Sequence, residues 1–386
     1  MPTNRFLIAA GILVALIFSS CQVPSGEPEP VKLKPVFYPA PPERARLQFL
    51  HSIAGDQDLK GEPEKLSAFE RFVLGSEDKK RGRIEKPYGL AVHDGKIYVC
   101  DVGRRMVQVV DLRQGKFEYL TRDLRLRNPA NIFIEPDGTK YVSDAVAGAV
   151  FVFDKTNTLT AILGKELKIK PVGLAARGDR CYVADAASNQ VVVIDKTTGH
   201  EILRMGKPGE QEGQFRSISG LALDEQENVY VTDRLLGKVT KFDRNGIFLL
   251  SVGKLSASLS NFVRPKGIAV DKQRRFWVVD SATEVGKIYD EQGRLLLFFG
   301  MPGTKPGNML LPADITIDYD NVDLFRDYFA EGAKIEFLVL VSNQFGPNLI
   351  SVYGFGDFPE PAKTTQRETA QTESAQDSVA AAKQEQ

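Results

Sequence analysis

Histidine and cysteine are scarce, with three of each in 386 residues. Apart from Cys21 near the start, only Cys100 and Cys181 remain, too few for a disulfide scaffold. Net charge is also absent: 50 Lys and Arg balance 50 Asp and Glu, so the chain as a whole is not built to gather nucleic acid. The apolar run Phe6–Phe18 has thirteen residues, too short for a bilayer core, which takes roughly twenty. None of the short patterns GxSxG, HExxH, CxxC or the phosphate-binding P-loop occurs. Residues 359–386 contain no aromatic and are rich in Gln, Thr, Ala, Glu and Ser. Such a segment cannot bury enough apolar surface to offset its ordering entropy, which predicts a disordered tail.

What is present begins with an address. Arg5, the apolar run and the small residues Ser19 and Ser20 before Cys21 describe a secretory signal over residues 1–20. The Phe-Ser-Ser-Cys end resembles a bacterial lipobox, with Phe18 where Leu is usual. That resemblance implies that Cys21 carries lipid (a palmitate-type acyl chain) and becomes the first residue. Gln22, in place of an Asp, implies sorting to the outer membrane. Residues 22–45 are proline-rich and suit an extended spacer between membrane and domain. About 310 residues are left between spacer and tail, enough for one large single-core fold or two ordinary domains.

A repeat fills that length. A Pro-x-Gly turn opens an alternating strand in KPYGLAV (86–92), KPVGLAA (170–176) and RPKGIAV (264–270). Looser copies are NPANIFI (128–134), SISGLAL (217–223) and LPADITI (311–317). Each is followed by a second strand ending in Asp101, Asp144, Asp185, Asp233, Asp280 or Asn343, at steps of 43, 41, 48, 47 and 63 residues. Third strands such as VQVVD and VFVFD and fourth strands such as TAILG and LLLFFG complete the unit. Four short strands per unit of about 40–50 residues, punctuated by Gly, Pro and Asp, describe a propeller blade. Six units predict an all-β, six-bladed β-propeller over residues 46–358. The sixth lacks a fourth strand, and RLQFLHSIAG (46–55) matches that pattern. An N-terminal strand closing the last blade removes an exposed sheet edge and places both tails in one region.

The PxG…YVxD…hydrophobic-Asp unit resembles the NHL repeat over residues 46–358, and with the lipobox the chain is similar to NHL lipoproteins of bacterial envelopes. The resemblance implies a six-bladed propeller. It is weak for function, because family members are mostly binding modules with a few lyases and hydrolases among their relatives.

A residue present in every blade serves the architecture, whereas one that breaks the repeat is a candidate for function. The strand-end aspartates belong to the first kind and read as turn residues. At the inner-strand glycine position, Gly89, Gly173, Gly220 and Gly267 give way to Asn131 and Asp314, which would line the central channel. Lactonase-type propellers hold calcium with such residues, so a channel calcium is the one cofactor left open. Two ligands fall short of the six to eight oxygens that a hard cation takes. Strand order places Lys86, Arg104, Arg105, Lys170, Arg234 and Arg264 on one face. Residues 79–127 hold thirteen Lys and Arg against six Asp and Glu. That face would attract an acidic partner. Two insertions depart from the period. Residues 56–82 contain a short helix pattern around Ser67–Leu74, and residues 319–334 lengthen a turn on the face opposite the basic one. His51, His93 and His200 fall in different parts of the repeat and do not form a three-His site.

Two functions fit. One is a membrane-anchored envelope protein, a monomeric propeller that binds an envelope protein or ligand and no nucleic acid. The alternative is a metal-dependent propeller hydrolase or lyase, lactonase-like, in the periplasm.

Overall fold

The computed structural model describes residues 34–59, 82–121 and 125–360. The secretory segment, Cys21, the short helix pattern around Ser67–Leu74 and all but the first two residues of the tail lie outside the described residues.

Six antiparallel sheets stand in a ring, each presenting its first strand to a central axis. These strands are Pro87–His93, Pro129–Ile134, Pro171–Arg177, Ile218–Leu223, Pro265–Val270 and Pro312–Asp318. Each touches the next, and the last touches the first. Second strands such as Phe276–Asp280 are buried throughout, because neighbouring blades cover both faces of the sheet. Fourth strands alternate: in Leu295–Phe299, Leu296 and Phe298 face outward while Phe299 is fully buried.

The strand-end aspartates do turn chemistry. The Asp101 carboxylate accepts the N–H groups of Glu85 and Lys86 from the turn before blade one, and of Gly103 and Arg104 from its own turn. Asp280 does the same with Val263, Arg264 and Ala282. In five blades one acidic side chain thus satisfies two turns on the same face, and in blade six Asn343 takes its place and accepts the Leu310 N–H at 3.3 Å.

The ring closes through the N-terminal strand. Leu47–Ile53 lies beside Ile350–Asp357, with Leu47 opposite Phe355 and Ile53 opposite Ile350. Leu47 and Ile53 are fully buried. The sheet does not begin at residue 46, however. Val36–Tyr38, inside the expected linker, adds a fifth, outermost strand, with Val36 opposite Phe49 and Tyr38 opposite Leu47. The Tyr38 hydroxyl donates to the Gly307 carbonyl at 2.9 Å, and its ring meets Phe299 edge-on. Three residues among prolines are too few to show strand alternation. The two ends of the domain come together on this blade, where the Phe37 and Phe358 rings meet edge-on at 5.4 Å.

The turns joining blades three to four, four to five and five to six are built alike. Gly206, Gly253 and Gly300 take φ of +72°, +88° and +74°, and Phe215, Phe262 and Met309 fold back onto them. Beneath two of these turns, Lys238 donates to the Gln211 carbonyl at 3.0 Å and Lys287 donates to the Asn261 carbonyl. The insertion 319–334 forms a 3₁₀ turn, Val322–Tyr328, whose Phe325 is buried beside Leu50 and Leu338. Gln48 of the closing strand ties it down, donating to the Tyr328 carbonyl at 2.9 Å and accepting from the Ala330 N–H at 3.0 Å.

Candidate functional site at the channel and its basic mouth

The inner glycines sit where consecutive first strands touch. A Cβ on Gly89 would lie 2.5 Å from the Asn131 Cα and 2.7 Å from the Ala130 carbonyl oxygen. One on Gly267 would lie 2.4 Å from the Asp314 Cα. Glycine is therefore a steric demand of the ring at this level. The two exceptions flank blade one, and the structure brings them together. The Asn131 side-chain amide donates to the Asp314 carboxylate at 2.9 Å, and the Leu90 backbone N–H donates to the same oxygen at 3.0 Å. The space they share is the one that Gly89 leaves empty.

Asp314 is buried, and burial pushes its carboxyl up from the ordinary 3.8 to about 7, against the opposing pull of the Leu90, Ile315 and Asn131 donors. It forms the floor of a channel cavity of about 240 Å³. The lining runs from Leu90, Asn131 and Asp314 to Val92, Ile134 and Ile317, so the cavity occupies the half of the channel away from the basic face. The pair does not fit a calcium ion. Asn131 presents its amide hydrogens to Asp314, the carboxylate oxygen is already bonded twice, and a hard cation needs six to eight oxygens. Among the described residues, no three His, Cys, Asp or Glu converge in a metal-binding group. His51 stacks on Tyr328 and meets the Asp58 carbonyl, away from the channel.

The six basic residues expected on one face divide. Arg104 pairs with Glu85 at 3.4 Å. Arg105 and Lys170 are exposed on their own turns. Lys86, Arg234 and Arg264 converge at the mouth of the channel, and at their centre stands a residue that the reading of the repeat missed, Lys266. It is only 8% exposed. Its ammonium reaches the Gln344 amide oxygen at 3.3 Å and lies 5.5 Å from the centre of the Tyr88 ring. Burial, with the positive charges of Arg234, Arg264 and Lys86, lowers its pKa from 10.5 to about 8. The cluster continues outward, since Lys86 lies over the Phe345 ring at 5.5 Å. Arg234 donates to the Ser217 hydroxyl at 2.8 Å, while its buried Nε has no partner. A signal was available in the sequence. Between the Pro and Gly positions of the first strands, Tyr88, Ala130, Val172, Ser219 and Ala313 are uncharged, and Lys266 alone is charged.

No family model matches the sequence. Solved structures do resemble the fold. A protein of unknown function from Bacteroides thetaiotaomicron is 15% identical, with 81% of this chain and 76% of that one covered and a TM-score of 0.58. A gluconolactonase from Xanthomonas campestris is 15% identical, over 84% and 98% of the two chains, with a TM-score of 0.53. An auxiliary nutrient binding protein from Bacteroides thetaiotaomicron is 12% identical, over 71% and 70%, also at 0.53. At such identities the likeness speaks for the fold alone: the chain is a six-bladed β-propeller.

Proposed function

We propose that this chain is a binding propeller of the bacterial envelope, held by lipid on Cys21 at the outer membrane, whose basic channel mouth receives an acidic partner. The observation that carries this reading is Lys266. A buried lysine with no carboxylate beside it among the described residues, ringed by three further cations, is costly for the fold. An arriving anion would offset that cost, which is the electrostatic signature of a docking site. Melting the protein with inorganic phosphate tests it, because a ligand specific to the folded state must raise the melting temperature. A rise in the wild type that disappears in Lys266→Met supports the site; an unresponsive wild type removes it. Fractionation of Cys21→Ser tests the anchor separately: release from membranes supports it, and undiminished attachment refutes it.

A second reading rests on Asp314. A carboxyl that titrates near neutrality at the floor of a cavity suits general acid–base chemistry, as a hydrolase or lyase would need. Turnover of a lactone panel that is lost in Asp314→Asn would favour this reading over binding.

A further inference from the structure

The face that carries the basic mouth also carries exposed apolar tips. Val146, Leu235 and Phe345 crown the turns after the second strands of blades two, four and six, and are 60%, 56% and 51% exposed. Leu255, Leu259 and Met301 project from the inter-blade turns on the same face and are 57–60% exposed. These turns are held in place. Lys287 fastens the one bearing Leu255 and Leu259 through the Asn261 carbonyl, and Met309 folded on Gly300 fixes the one bearing Met301.

We propose that this face docks on an anionic lipid surface, with a lipid phosphate group received among Lys266, Lys86 and Arg234. Two observations favour lipid over a protein partner. Apolar tips interleaved with cations can enter the headgroup region while the cations meet its negative potential. The tips are spread around the disc, on separate turns, which suits a fluid surface; protein interfaces concentrate their apolar anchors in one central cluster. Neither argument rests on the lipid-anchor reading above.

The test uses the full chain as Cys21→Ser, so that lipidation contributes nothing, with a fluorophore on Met301→Cys. It is mixed with phosphatidylcholine vesicles, with or without phosphatidylglycerol, that carry nitroxide-labelled lipid. Quenching should be stronger on the anionic vesicles, and Lys266→Met should weaken vesicle binding about fivefold. A fluorophore on Glu331→Cys, at the opposite face, should show no such difference. Equal behaviour of the two labels, or no gain from phosphatidylglycerol, overturns the inference. So does a chain that ignores both vesicles yet melts higher in inorganic phosphate, which assigns the site to a soluble anion. The wild-type chain answers separately for the anchor: retention on pure phosphatidylcholine that Cys21→Ser lacks supports lipidation whatever the face does.

Discussion

Asn131 of blade two and Asp314 of blade six hydrogen-bond across blade one, at 2.9 Å, in the space where Gly89 has no side chain. The contact lies at the end of the channel cavity nearer the basic mouth. It makes three blades depend on one another at a single level of the ring.

Gly89→Ala should therefore be costly despite its size. The new methyl would meet the Asn131 Cα and the Ala130 carbonyl, both backbone atoms. The expected loss is about 1–3 kcal/mol, measurable by denaturant unfolding. A neutral Gly89→Ala would show that the blades slide apart more freely than the contacts indicate.

Asp314 should leave its mark on the pH dependence of stability. Its folded pKa is raised, from 3.8 to about 7, so the folded state holds the proton more tightly than the unfolded chain. Stability from this group is full below about pH 4 and is lost as pH rises through about 7. The difference in melting temperature between wild type and Asp314→Asn should shift against the wild type across that window. A difference that stays flat from pH 4 to 8 contradicts the assignment.

Lys266 has the opposite sign. Its folded pKa is depressed, from 10.5 to about 8, so the folded state releases the proton first. The penalty is full below about pH 8 and is relieved as pH rises toward 10.5. Lys266→Met should melt higher than the wild type at pH 7, and its advantage should shrink toward pH 10. A variant less stable at both values would mean that the ammonium serves the fold and not a ligand.

The closing strands should differ in weight. Leu47→Ala removes a fully buried side chain between blades and should cost about 2–5 kcal/mol. Tyr38→Phe, which loses one hydrogen bond on the outermost strand, should cost about 1 kcal/mol. Denaturant unfolding of the two variants checks the order.

Cys100 and Cys181 are free and buried, and burial raises both thiols, Cys181 to about 12. Neither should react with a thiol reagent at pH 8 until the protein unfolds. Fast labelling of the native chain would contradict the blade packing around them.

The repeat made the architecture legible, because Pro-x-Gly, the second-strand aspartate and the closing glycine recur at a nearly constant step. It also exposed Asn131 and Asp314, since both break one column of that repeat. Lys266 breaks the adjacent column. It stayed hidden because a lysine beside a turn reads as solvated surface; only the fold shows that Gln344 of blade six and Tyr88 of blade one cover it. Val36–Tyr38 was illegible for another reason: its pairing depends on distant partners, Phe49, Leu47 and Gly307, and not on any pattern of its own.

Site-specific photocrosslinking in the native envelope tests the central claim, that the basic mouth is where this protein meets its partner. A photoreactive residue replacing Phe345, which lies against Lys86 and follows Gln344, should give adducts that fade when Lys266 is changed to Met. One replacing Arg177, at the other mouth of the channel, should give none. Adducts from position 177 alone, or from position 345 with no dependence on Lys266, would contradict it.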